Sequence, residues 1–217
     1  MLSNYVKEKE KVKEEIKGLF ANLVHSNEVL NNSIKECNKL KFEEAKSYTM
    51  NVATKINDID NYIIRILALY SPEARELRRF VAYLKITSAI VRINSNTKSF
   101  IKGFLEVCDN LDNHLITEYI VPLHTSALNA LKLTNEMIDI DEEDELQDKF
   151  NEIVVEEHKT DDLNSLIEEK ILNLDEEFVV INKLLKTIRK IEKIADRTRE
   201  IANLLLYYKV GGQLSNV

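Results

Sequence analysis

Glycine and proline are nearly missing from this chain, which holds 4 Gly and 2 Pro in 217 residues, where ordinary usage would supply about 26. Sheet proteins change direction every ~8–12 residues and need such turn formers each time, so sandwiches, barrels and βαβ folds are excluded. No two glycines have the spacing of a phosphate-binding loop or a dinucleotide-binding turn. Long helices are what remain. The 31% charged and 44% hydrophobic fractions suit helices with one wet face and one apolar stripe, not a disordered chain.

The net charge of −7 argues against a nucleic-acid partner, because phosphate binding needs a surplus of Lys and Arg on one face. The opening MLSNYVKEKEKVKEE is too charged for a signal peptide. Apolar runs stay far below the ~20 residues needed to cross a bilayer. The expectation is a cytoplasmic protein with no direct membrane insertion. Cys37 and Cys108 lack metal-ligand spacing and fall on helical patterns, so both read as small buried apolar residues.

Polar breaks at Asn38-Lys39, Ser71-Pro72, Asp109 to Asp112, Asp139 to Asp144, Asn173 to Asp175 and Gly211-Gly212 divide the chain into six helical stretches. They run over 3–37, 41–70, 73–108, 112–138, 142–173 and 175–209. A shift of 101 residues lays LKITSAIVRINSNTKSF (84–100) over LKTIRKIEKIADRTREI (185–201). Leu84 then meets Leu185, Ile90 meets Ile191, Ile93 meets Ile194, Thr97 meets Thr198 and Asp60 meets Asp161. Two copies of a three-helix unit, 1–109 and 110–217, are the simplest account, with short connections making neighbouring helices antiparallel.

The fifth helix has an apolar stripe of Leu146, Phe150, Ile153 and Val154, resuming at Ile167, Ile171 and Leu172. Carried through the gap, the stripe meets Glu157, Asp161 and Asn164. In the sixth helix Glu192 and Asp196 fall beside a stripe of Leu184, Leu185, Ile188, Ile191 and Ala195. Each pair has acid-x-x-x-acid spacing, and residues i and i+4 stack on one face of a helix. Four unpaired carboxylates in a core would each cost several kcal/mol. Lys or Arg partners, protonation, or a cation would relieve that cost. Lys193 and Arg197 flank the stripe without lying on it. Oxygen-only ligands suit Mg, Mn, Ca or iron, with Zn also open. In the first half the matching positions hold Ile56, Val91 and Ser95, so the fold itself does not require the acids.

The remaining features have plainer readings. His25, His114 and His124 are scattered, and His158 sits off the stripe as a surface residue. The acidic run Asp141 to Glu145 opens a helix, where negative charge suits the dipole. Arg75, Arg78 and Arg79 form a solvated face, or a contact for an acidic partner. Tyr207 and Tyr208 cap the bundle core.

SPEARELRRFVAYLKITSAIVRI (71–93) resembles the segment of PhoU proteins in which a proline opens the third helix of a repeat. IEKIADRTREIANLL (191–205) is similar to that family's Glu-Arg-Ile-Gly-Asp-His-Ala motif, with Ala195 replacing Gly and Arg197 replacing His. The resemblance implies an all-α fold of two tandem, pseudo-symmetric antiparallel three-helix bundles. It implies a regulator of phosphate transport and phosphate-responsive signalling, with no catalysis of its own, that damps uptake when phosphate is plentiful. The implied partners are a phosphate ABC transporter ATPase, a sensor histidine kinase and a second copy of the chain. It also implies a metal cluster, iron or zinc, with Mn, Mg or Ca open, held by Glu157, Asp161, Glu192 and Asp196. The first-half motif, Val91-Arg92-Ile93-Asn94-Ser95, has lost both acids although Asp58 and Asp60 survive, so one site is carried over. Two alternatives stand beside this reading. One is an accessory protein of a low-affinity phosphate transporter, suggested by Ala195-Asp196. The other is a di-iron carboxylate enzyme, which would want histidines where Thr160 and Ala195 stand.

Overall fold

The structure is a computed structural model that describes residues 2–173 and 177–211. Its helices are α1 (Leu2–Ile34), α2 (Lys39–Ser47), α3 (Val52–Tyr70), α4 (Ala74–Leu105), the short α5 (Asn113–Leu115), α6 (Val121–Met137), α7 (Glu143–Leu172) and α8 (Phe178–Val210). No strand occurs among the described residues. α1, the α2–α3 pair and α4 pack as one antiparallel three-helix bundle, and α6, α7 and α8 as a second. The most extensive helix pairing joins the two, α4 against α8, with α1 against α6 beside it.

The stripe logic holds along α1, where Val12, Ile16, Leu19, Leu23, Asn27, Leu30 and Ile34 are buried at steps of three or four, with Phe20 buried beside them. Phe42, Phe100 and Phe104 meet in the first bundle, with Phe100 stacked on Phe104 at 5.3 Å and Phe42 tilted on Phe104 at 5.8 Å. Burying one such ring is worth roughly 1.5–3 kcal/mol. Gly103 lets α4 and α8 close on each other, because a Cβ there would fall 2.3 Å from the Thr187 hydroxyl.

Three local departures from the sequence reading have physical causes. The second helix, expected unbroken over 41–70, is cut at residues 48–51. Thr49 bonds back to the Lys46 carbonyl, and Asn51 takes a left-handed backbone at φ 58°, a conformation Asn tolerates better than most residues. The fourth helix, expected to start at 112, begins with α5 and a π-helical turn over Ile116–Ile120. Pro122 has no N–H to give, so the turn before it widens, and Val121 N–H bonds to the Ile116 carbonyl. The first helix stops at Ile34 rather than 37. Other expectations fall on undescribed residues: 174 and 175 in the break between the fifth and sixth stretches, and Gly212 at the last.

The cysteine reading is corrected. Cys37 and Cys108 are joined in a disulfide, because the ends of α1 and α4 meet; they are not two separate small core residues. Arg75, Arg78 and Arg79 are not merely a solvated face either. Arg75 donates to the Lys209 carbonyl at 3.0 Å, Arg78 lies over the Tyr207 ring and Arg79 over Tyr208. They fasten the end of α8 to the start of α4. Tyr208 is buried and packs edge-on against Tyr83. The acidic opening of α7 is as the dipole argument has it, and Glu142 accepts from the Glu145 N–H at 2.7 Å.

Candidate metal centre

α7 and α8 lie side by side, and their acids face each other. The buried stripe of α7 runs Ile153, Glu157, Thr160, Asn164, Ile167, Ile171. It passes through Thr160, not Asp161 as the sequence suggested, so Asp161 sits on the shoulder of the stripe and is exposed. Glu192 and Asp196 are half-buried on the flank of α8. One carboxylate oxygen from each of Asp161, Glu192 and Asp196 lies within 4.8 Å of the others. The expectation of four acids inside the packed interior is therefore corrected to one inside and three at its rim.

The buried one is Glu157, 6% exposed. Its Oε1 accepts from Arg199 Nη1 at 3.0 Å. Its Oε2 is buried and has no hydrogen-bond partner among the described residues, while the exposed His158 holds Nε2 3.6 Å away. Arg199 was missed by the sequence reading, although a signal for it existed. It stands seven residues after Glu192 and three after Asp196, spacings that put all three on one face of α8. Arg197, which flanks the stripe, pairs with Glu200 at 2.8 Å instead.

The electrostatics distinguish the three rim acids from ordinary surface carboxylates. Asp161 is held above the usual aspartate range by partial burial and then by repulsion from Glu157. Glu192 is raised by burial, then by Asp196 and Asp161. Asp196 is raised by burial, then by Asp161 and Glu157. Beyond burial, which is the largest cause, every lift comes from a like charge, offset in part by nearby cations that include Arg199, Arg189, Arg197 and Lys193. A cation placed among the three would relieve the remaining repulsion. The donor set is all oxygen and spans two helices, which fits a hard divalent ion or iron. Glu157, with its unpartnered inner oxygen, stands behind the three.

Elsewhere in the core, His124 is fully enclosed and its pKa is pushed down to about 3 by burial. It is therefore neutral, and its Nδ1 lies 2.9 Å from Asn31 Oδ1, which fits the tautomer that donates to that oxygen. It takes no part in the acidic site.

These features define an all-α protein of two antiparallel three-helix bundles with one carboxylate cluster on the second. No protein-family model matches the chain. A curated relative, the phosphate-specific transport system accessory protein PhoU homolog of Borreliella burgdorferi, is 24% identical over 163 residues, covering 73% of each chain. The crystal structure of PhoU from Streptococcus pneumoniae superposes with a TM-score of 0.82 at 17% identity, covering 98% of this chain and 100% of that one. PhoU from Pseudomonas aeruginosa gives 0.82 at 14% identity, over 96% and 100%. A PhoU-like protein from Shewanella oneidensis gives 0.68 at 15%, over 91% and 96%. The fold is thus that of PhoU proteins, and the sequence match to a PhoU homolog agrees with the family resemblance read from the chain.

Proposed function

We propose that this chain is a PhoU-like regulator of phosphate transport and phosphate-responsive signalling that binds metal through one site in its second bundle. Asp161, Glu192 and Asp196 would hold the ion, with Glu157 behind them and Arg199 limiting how much positive charge the site accepts. The observation that carries this reading is the convergence of three carboxylates from α7 and α8 within 4.8 Å, where nearby cations offset the like-charge repulsion only in part and all three pKa values stay raised. The ion, iron or zinc by family resemblance and Mn, Mg or Ca by donor chemistry, would brace the two helices and act without turnover of a substrate. The division at 109/110 into two repeats, a homodimer, a cytoplasmic location, and contacts with a phosphate ABC transporter ATPase and a sensor histidine kinase belong to the same reading.

Metal analysis of protein purified without an affinity tag tests it. About one to a few equivalents of a transition metal are expected, with loss of that metal in Asp161→Ala and Asp196→Ala while the helical signal stays. Metal-free protein whose melting temperature does not respond to iron, zinc or manganese would sink the reading.

A further inference from the structure

Cys37 and Cys108 are 71 residues apart in sequence, with Cα atoms 6.0 Å apart in the disulfide. Cys37 closes α1. Its N–H bonds to the Ile34 carbonyl at 3.3 Å and the Asn38 N–H to the Ser33 carbonyl at 3.4 Å, the paired bonds of a Schellman helix end. The residue between them must be left-handed, and Cys37 has φ 49°, where glycine is the usual choice. A cysteine is a poor residue for that turn alone, so its presence points to what its sulfur does. Cys108 opens the 3-10 turn Cys108–Asn110 between α4 and α5. It is 3% exposed, whereas Cys37 is half-buried. An Asp109 carboxylate oxygen lies within 4.8 Å of both sulfurs, and Lys39 Nζ pairs with Asp109 at 2.8 Å.

We propose that Cys37 and Cys108 are a reversible thiol–disulfide site that clips the connection between the two bundles to the end of the first. In the oxidising direction the half-exposed Cys37 loses its proton, and its thiolate attacks one sulfur of glutathione disulfide. A mixed disulfide forms and a glutathione thiolate leaves, taking up a proton. The Cys108 thiolate then displaces the second glutathione. Two electrons pass from the protein thiols to glutathione disulfide, and two glutathione thiols are released. Glutathione runs the reaction backward when it is in excess. With the bond open, the Lys39–Asp109 ion pair still ties this corner, and exposed pairs of that kind hold weakly.

The test equilibrates the full chain in glutathione buffers of graded ratio, quenches with an alkylating reagent and weighs the protein. The expected result is a change from two alkylated thiols to none within the accessible range of ratios. The oxidised form should melt on the order of 10 °C above the reduced form, as expected for closing a loop of this length. It should also show slower amide exchange around 35–40 and 106–112. Cys108→Ser should lose the redox response. Cys37→Gly should lose it too while keeping the turn, which separates loss of the bond from failure to fold. Two free thiols at every ratio would overturn the proposal, as would a bond that survives the most reducing buffer. So would a reduced protein that binds zinc through Cys37, Cys108 and Asp109 and never forms the bond.

Discussion

In the first bundle Asp60 is half-buried on α3 and accepts a 2.7 Å hydrogen bond from Thr87 on α4. Its pKa is raised by burial and lowered by that bond, with no like charge among the causes. One repeat length later, Asp161 meets Glu192 and Asp196, and all three are raised first by burial and then by neighbouring carboxylates. Glu157 acts on Asp161, Asp196 and Asp161 on Glu192, and Asp161 and Glu157 on Asp196. The frames correspond. Thr97 and Thr198 are both buried and bond back to the carbonyl four residues earlier, and Ile90, Ile93, Ile191 and Ile194 are all core. Where the frame carries Ile56 it is sealed with hydrocarbon; where it carries Glu157 it takes Arg199 as partner and still leaves one oxygen without a hydrogen bond among the described residues. The same helix geometry therefore serves as plain packing in one bundle and as a charged site in the other.

The largest expected effect comes from removing the cation that makes the second version tolerable. Arg199→Ala leaves a buried carboxylate without its partner and should cost about 3 kcal/mol by urea unfolding of metal-free protein. Giving the second bundle the first bundle's residues, Glu157→Ile with Arg199→Lys, should bring stability back to within about 1 kcal/mol of the parent. If the single change costs nothing, the pair is not what keeps Glu157 inside. Next, Thr87→Ala should cost about 1 kcal/mol and leave metal content untouched, because Asp60 stands apart from the second-bundle cluster. Moving the chemistry the other way, Val91→Glu with Ser95→Asp beside Asp60 should lower metal-free stability by under about 1 kcal/mol. It should also add a metal equivalent, readable by elemental analysis. A protein that gains charge but no metal would mean that the second site depends on more than these acids.

The smallest effect is a pH dependence whose sign separates metal-free from metal-bound protein. The three rim acids have folded pKa values above their ordinary ones. Their protonated forms therefore favour the fold. That contribution is complete below the usual carboxylate range of about 4 and is lost as pH rises through the raised values. From these groups, metal-free protein should gain stability on mild acidification from pH 7. Metal-loaded protein should lose it, since protons displace the ion. Melting curves with and without chelator, taken between pH 5 and 7, would show the two trends diverge.

Much of this was legible in the chain itself. The shortage of turn residues left only helices, and the stripes placed Glu157 and Asp161 on the core face of one helix and Glu192 and Asp196 beside the stripe of the next. The stripe argument erred by one residue at Asp161, because three-and-four stepping can pass through 160 or 161 and only packing against α8 decides between them. Arg199 was readable from its spacing to Glu192 and Asp196, but its partner lies 42 residues away on another helix. The Cys37–Cys108 bond carried no such signal, since it depends on where α1 stops and how α4 returns. The break at residues 48–51 likewise turns on one Asn adopting a left-handed backbone.

One feature at the opposite end of the second bundle bears on how the molecule can be altered. Lys209 sends its ammonium group into the fold, where its side chain is 6% exposed and donates to the carbonyls of Met137, Ile138 and Ile140. Burial lowers its pKa, yet all three of its hydrogens are in use. An acyl-lysine keeps one N–H where three carbonyls are now served, so acylation at this position opposes the fold. Its reactivity toward an acylating reagent would therefore report on fraying of the last turn of α8.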